Sequence, residues 1–176
     1  MSVAIIKYNA GNIFSVKCAL QRIGVDAIIT NDKEQLRKAE KVIFPGVGEA
    51  SSAMTHLRSE GLDELIKSLT QPVLGICIGL QLMCRSSQEG NAQCLGIFDD
   101  LDVLRFDEKL CNNDIKIPHM GWDTVQLLKQ NELITGEIDN EYLYYVHSYY
   151  APVSPKYTIA STNYIVPFSA SLNKDN

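Results

Sequence analysis

The chain has 176 residues and a mass of 19.6 kDa, the size of one domain, residues 1–176, rather than of a multidomain assembly. With 45% hydrophobic and 21% charged residues it carries enough apolar side chain to close a two- or three-layer core, and too much to remain disordered. A net charge of −5 and a pI near 5.2 give no excess of cations for nucleic acid or anionic lipid, and apolar runs such as 3–6 and 42–44 fall far short of the roughly 20 residues that span a bilayer.

Residues 3–7 read as a buried strand, 9–12 as a turn, and Ile13, Val16, Ala19 or Leu20, and Ile23 recur at helical spacing until Gly24. Residues 27–30 form a second strand, 34–39 a short helix and 41–44 a third strand, broken by Pro45-Gly46-Val47-Gly48. Ala50, Ala53, Met54 and Leu57 mark a further helical face, 62–69 another, and 72–76 a fourth strand. Strands alternating with helices predict right-handed crossovers and a mostly parallel sheet, with helices on both faces. Beyond Glu89 the pieces 101–106, 142–147, 157–162 and 168–172 are strand-like, with Asn, Pro and Gly turns between them. The predicted fold class is therefore α/β, three-layered, with antiparallel additions in the second half.

Five cysteines, at 18, 77, 84, 94 and 111, are scattered with no C-x-x-C; neither a disulfide framework nor a structural zinc site is expected, and the thiols are reduced in a cytoplasmic setting. One of them has a special context. In Leu74-Gly75-Ile76-Cys77-Ile78-Gly79-Leu80-Gln81 an apolar strand runs through G-x-C-x-G into a helix, the pattern of a nucleophile elbow with Cys in place of Ser. The helix N-terminus beside the sulfur predicts a thiolate at neutral pH. The Pro45–Gly48 loop ends a neighbouring strand, where backbone N–H groups are able to face an anion formed at Cys77.

These residues, with Tyr8-Asn9-Ala10-Gly11-Asn12, Pro118-His119-Met120-Gly121-Trp122 and Val146-His147-Ser148-Tyr149-Tyr150, resemble the class I glutamine amidotransferases along the whole chain, and more narrowly the glutaminase subunits of imidazole glycerol phosphate synthases. The resemblance implies a flavodoxin-like layout and a Cys77 nucleophile that attacks the carboxamide of L-glutamine. It implies an oxyanion hole from the backbone at Val47 or Gly48 and at Ile78, and substrate contacts at Gly46, Gln81, Glu89, Ser148 and Tyr149. No cofactor or metal is implied. A cyclase (synthase) subunit in a heterodimer is, with His119 and Trp122 on the partner-facing turn. From spacing alone, Glu89 is equally well a solvated loop acid beside Gly90. Asp123 stands where the family usually has Asn, and Lys7 where many relatives have Asp.

The family completes its triad with a His and a Glu in a Q-F-H-P-E segment that follows the piece resembled by 168–172. No H-x-E occurs among residues 1–176, and none of His56, His119 and His147 matches the base. General acid and base assistance typically contributes about a hundred- to ten-thousand-fold per step, so the expectation is a truncated form of an active enzyme with little turnover of its own. Two alternatives stand at this stage: a paralogous amidotransferase serving a surface-sugar pathway, and a non-catalytic binding subunit of the same fold.

Overall fold

Every residue of β1 (Val3–Ile6) is buried, because the strand runs between two layers: Ala4 and Ile6 join one apolar cluster, Val3 and Ile5 another. A parallel strand covered on both sides calls for such an unbroken apolar run. The computed structural model describes residues 2–9, 12–111, 115–134 and 140–176; the Ala10-Gly11 part of the Tyr8–Asn12 motif lies outside them. After β1 come α1 (Ile13–Arg22), β2 (Ala27–Thr30), α2 (Lys33–Lys38), β3 (Lys41–Phe44), α3 (Ala50–Ser59), α4 (Leu62–Ser68), β4 (Val73–Gly75) and α5 (Ile78–Met83).

The four strands are parallel in the order β2-β1-β3-β4: the alternation of elements predicts the parallel sheet, and the order is that of the flavodoxin-like layout implied by the resemblance. Helix α1 lays Ile13, Val16 and Leu20 on Val3, Ile5, Ala27 and Ile43. On the other face Leu36, Met54, Leu57, Leu65 and Leu82 pack with Ala4, Ile6, Val42 and Phe44. Local chemistry sets the helix starts: the Asp32 carboxylate accepts from the Gln35 N–H at 2.8 Å, and that of Glu49 from the Ser52 N–H at 2.9 Å, satisfying donors that a first turn otherwise leaves unpaired.

The second half contains β5 (Cys84–Ser87), β6 (Ala92–Gln93), β7 (Phe98–Arg105), β8 (His119–Thr124), β9 (Gln126–Leu127), β10 (Tyr142–His147), β11 (Tyr149–Tyr150), β12 (Thr158–Asn163) and β13 (Pro167–Leu172). They form the sheet β11-β7-β5-β6, the ribbon β10-β8 and the sheet β13-β12-β9; only β5 with β7 is parallel. Cys84–Ser87, with two serines and an arginine, carries little strand signal and is extended because β6 and β7 flank it. The segment after Pro118, turn-rich in sequence, is likewise a strand: residues 119–124 pair one for one with residues 147–142. Among the described residues no helix is long and apolar enough to cross a membrane.

Candidate active site

Cys77 lies between β4 and α5 with φ 56° and ψ −116°, a positive-φ backbone that costs a non-glycine residue about 1–3 kcal/mol unless its surroundings enforce it. They do. The Ile76 N–H donates to the Phe44 carbonyl at 3.0 Å, the Gly79 N–H to the Ile76 carbonyl at 3.0 Å and the Gln81 N–H to the Cys77 carbonyl at 3.2 Å. The glycines permit the closeness: a Cβ on Gly75 would meet the Leu80 nitrogen at 2.9 Å, and one on Gly79 would overlap the Phe44 carbonyl oxygen. Cys77 is exposed, whereas Cys84 and Cys94 are buried and Cys18 and Cys111 half-buried.

The Pro45–Gly48 loop closes one wall. A Cβ on Gly46 would overlap Ile78 Cγ2 and the Tyr8 hydroxyl, and that hydroxyl donates to the Pro45 carbonyl at 2.8 Å. The loop is thus pressed against the first turn of α5 by contacts on both sides of Gly46. Gly48 has a φ of +116°, and nothing lies within 4 Å of the place a Cβ would occupy; its backbone is one that other residues rarely adopt. Its N–H and that of Val47 donate to no described residue, while the Ile78 N–H hydrogen-bonds the Cys77 sulfur. Both loops sit at the carboxyl ends of adjacent parallel strands, where open α/β sheets place their ligand crevice.

The expectation of a thiolate at neutral pH needs correcting. Desolvation raises the Cys77 thiol above its ordinary value of 9.0; the Ile78 N–H pulls it down by less, and the Glu89 charge raises it further. Helix α5 is only six residues long, and one amide does not offset the protein packed round the sulfur. The resting group is a thiol, so attack on carbon requires a base. Tyr8, buried beside Cys77, is raised for the same reason, first by desolvation and then by the neighbouring sulfur. Among the described residues no hydrogen bond joins a histidine to Cys77.

Glu89 opens a 3₁₀ turn, Glu89–Asn91, and is held rather than solvated: its Oε2 accepts from the Ala50 N–H at 2.9 Å at the start of α3. Burial raises its carboxyl, the Ala50 N–H lowers it, and Glu49 raises it. Gln81 Nε2 donates to the Tyr149 carbonyl at 3.0 Å, tying α5 to β11, and the Phe106 N–H donates to the Ser148 carbonyl at 3.1 Å. Gln81, Ser148 and Tyr149 are therefore brought together, and Glu89 lies close enough to Cys77 to shift it. Among the described residues no group of three or more His, Cys, Asp or Glu is arranged to hold a metal ion.

The two residues expected on the partner-facing turn part company. Trp122 is 68% exposed, but His119 is 3% exposed. The strand alternation of β8 turns His119 inward, where its ring stacks on Tyr164 at 3.8 Å and Tyr145 at 4.9 Å, so its side chain does not face a partner. The opposite face of the β8–β10 ribbon carries Met120, Trp122, Tyr142, Tyr144 and Val146, all more than half exposed, and the register sets Trp122 opposite Tyr144 and Met120 opposite Val146. Apart from Trp122 these were missed in the sequence; alternation at 142, 144 and 146 was the available signal, but only the pairing with 120 and 122 makes it one surface.

Inside the ribbon His119 and His147 lie 5.3 Å apart, ring to ring, and burial lowers both; proximity lowers His119 further, against a weaker pull upward from Asp123. Neutral in the fold and titrating near 6.5 when unfolded, the pair contributes stability that is complete above about pH 6.5 and is lost as pH falls through the lowered values. Asp99 and Asp102, held at about 2, do not titrate in that window. A urea midpoint that declines between pH 7 and 5, and declines less in His119→Phe, is the expected result.

The family profile described as "Glutamine amidotransferase class-I" matches residues 5–171. The chain is 60% identical to the imidazole glycerol phosphate synthase subunit HisH of Bacteroides fragilis (strain YCH46), over 100% of this chain and 87% of the relative. It is 44% identical to the subunits of the same name from Yersinia pseudotuberculosis and Escherichia coli K12, with the same coverage. Among solved structures, a crystal structure of a glutamine amidotransferase superposes with a TM-score of 0.67 at 16% identity, over 96% of this chain and 88% of that one. A glutamine amidotransferase from Thermotoga maritima gives 0.58 at 16% identity, over 99% and 69%.

Proposed function

We infer, since this chain belongs to the class I glutamine amidotransferase family, that it is the glutaminase subunit of an imidazole glycerol phosphate synthase in histidine biosynthesis. It hydrolyses L-glutamine to glutamate and ammonia and delivers the ammonia to a cyclase subunit. The observation that carries the reading is the exposed, positive-φ Cys77 at the head of a helix whose first turn, at Ile78 and Gly79, is pressed against the Gly46 loop.

In the mechanism we propose, a base removes the thiol proton and the sulfur attacks the carboxamide carbon, with the developing oxyanion facing the N–H groups of Ile78 and of Val47 or Gly48. Each such donor is worth about 3–4 kcal/mol when aimed at the transition-state charge. The C–N bond breaks as nitrogen takes a proton and leaves as ammonia; water then opens the thioester and glutamate departs. The Glu89 carboxylate suits the substrate ammonium, and the Ser148–Tyr149 turn with Gln81 suits its amino-acid end. In this reading the base is the family's His, oriented by its Glu. Comparing the complex with Cys77 intact and replaced, on glutamine and on ammonia, tests the whole scheme.

The cyclase partner sits, in this proposal, on the Met120-Trp122-Tyr144-Val146 face of the ribbon. Exposed aromatic anchors of this kind typically carry about 2 kcal/mol or more each in an interface. Trp122→Ala is expected to weaken assembly with the synthase subunit by about thirtyfold, measured by calorimetric titration, with only a small fall in the urea midpoint, because the ring is 68% exposed and its ring contact within the subunit is the edge-to-face one with Tyr144 at 5.4 Å. Equal affinity in the variant would move the interface elsewhere.

A further inference from the structure

We propose that His147 is a positioning residue for glutamine, acting through the carbonyl of Tyr149; this rests on the reading of residues 148–149 as holding the amino-acid end of the substrate. That carbonyl accepts twice, from Gln81 Nε2 at 3.0 Å and from His147 Nδ1 at 2.8 Å. A carbonyl only accepts, so the proton of the neutral ring resides on Nδ1. Nε2 is then an acceptor, and it is buried without a hydrogen-bond partner among the described residues.

Packing alone would not select this side chain. The ring sits 5.1 Å from Phe168, 5.3 Å from His119 and 5.4 Å from Phe106, a surrounding that a phenylalanine would fill without stranding a lone pair. What imidazole adds is one donor at Nδ1. With the Ser148 carbonyl held by the Phe106 N–H and the Tyr149 carbonyl held by Gln81 and His147, both acceptors of the turn are tied back. The Ser148 hydroxyl, which bonds to no described residue, stays available to a carboxylate. His147 also stands directly opposite His119 in the ribbon ladder, so the lock joins the turn to the strand that carries Trp122.

The test uses the full-length protein assembled with its synthase subunit. His147→Phe keeps the ring volume and removes the donor; His147→Asn returns a donor near the Nδ1 position. The expected result is a KM for glutamine raised about tenfold or more in His147→Phe, with kcat within about threefold and ammonia-dependent synthesis unchanged, and recovery of most of the loss in His147→Asn. An unchanged KM in His147→Phe, or an equal rise in both variants, overturns the proposal. Should His147→Phe fail to fold, ¹⁵N spectra of the wild-type imidazoles decide: a neutral ring protonated at Nδ1 supports the lock, and protonation at Nε2 refutes it. If Cys77→Ala leaves glutamine hydrolysis intact, the reading of the glutamine site fails instead, and the spectra still report on the hydrogen bond.

Discussion

Glutamine-dependent synthesis by the complex is expected to fall on the order of 10⁴-fold or more in Cys77→Ala, while ammonia-dependent synthesis by the partner stays within about twofold. The asymmetry follows from where the two chemistries sit. Without sulfur there is no thioester, and water alone must attack an amide that is resonance-stabilised. The proposed oxyanion donors survive the substitution, because Ile78, Val47 and Gly48 would act through their backbones, so some acceleration over solution is expected to remain. Alanine at position 77 is an L-residue like the cysteine it replaces, and the Ile76, Gly79 and Gln81 N–H bonds that hold the elbow are backbone bonds, so only the Ile78 N–H contact to sulfur is lost; the ribbon face proposed for docking is untouched. A variant that lost both activities would have lost assembly, and would not speak for Cys77 as nucleophile. A variant that kept glutamine-dependent synthesis would end the proposal. Since burial raises the thiol, the wild-type rate is also expected to climb through neutral pH as the base that deprotonates it becomes free, rather than to be flat as a preformed thiolate would make it.

Where local chemistry decides conformation, the sequence was legible. The parallel sheet follows from unbroken runs such as Val3–Ile6, since a strand covered on both faces has no polar positions to display. The elbow follows from Gly75 and Gly79 flanking one thiol, and the structure supplies the reason for those glycines: Leu80 and Phe44 leave no room for a methyl. What was not legible depends on partners far along the chain. Cys84–Ser87 is a strand only because β6 and β7 flank it. His119 is buried only because β8 pairs with β10, a consequence of the 119–147 register that no window around Pro118 contains. The state of the thiol went astray for a related reason: the helix dipole is readable from sequence, whereas the desolvation that outweighs it is summed over everything folded around the sulfur.

Gly79→Ala should damage fold and rate together. In an ordinary helix this change is favourable by about 1 kcal/mol. Here the new methyl would overlap the Phe44 carbonyl oxygen, a backbone atom of a fully buried strand residue that already accepts the Ile76 N–H at 3.0 Å. A side chain is able to rotate out of the way, but a β3 carbonyl is not, so α5 must move off the sheet or the elbow must open. Overpacking of that kind costs about 1–3 kcal/mol and outweighs the helical gain, so the urea midpoint is expected to fall. The same displacement would widen the gap between Ile78 and the Gly46 loop and separate the two proposed sets of oxyanion donors. Loss of alignment at one donor typically costs about 10²–10³ in kcat, and kcat of the folded variant should drop accordingly, with a smaller change in KM. Gly96→Ala is the control: its φ of +71° strains a methyl-bearing residue, but nothing lies within 4 Å, so it should lower stability and leave kcat alone. If folded Gly79→Ala kept kcat within about twofold of wild type, contact between strand β3 and the elbow would be a matter of packing only, and the alignment of the oxyanion donors would have to come from elsewhere.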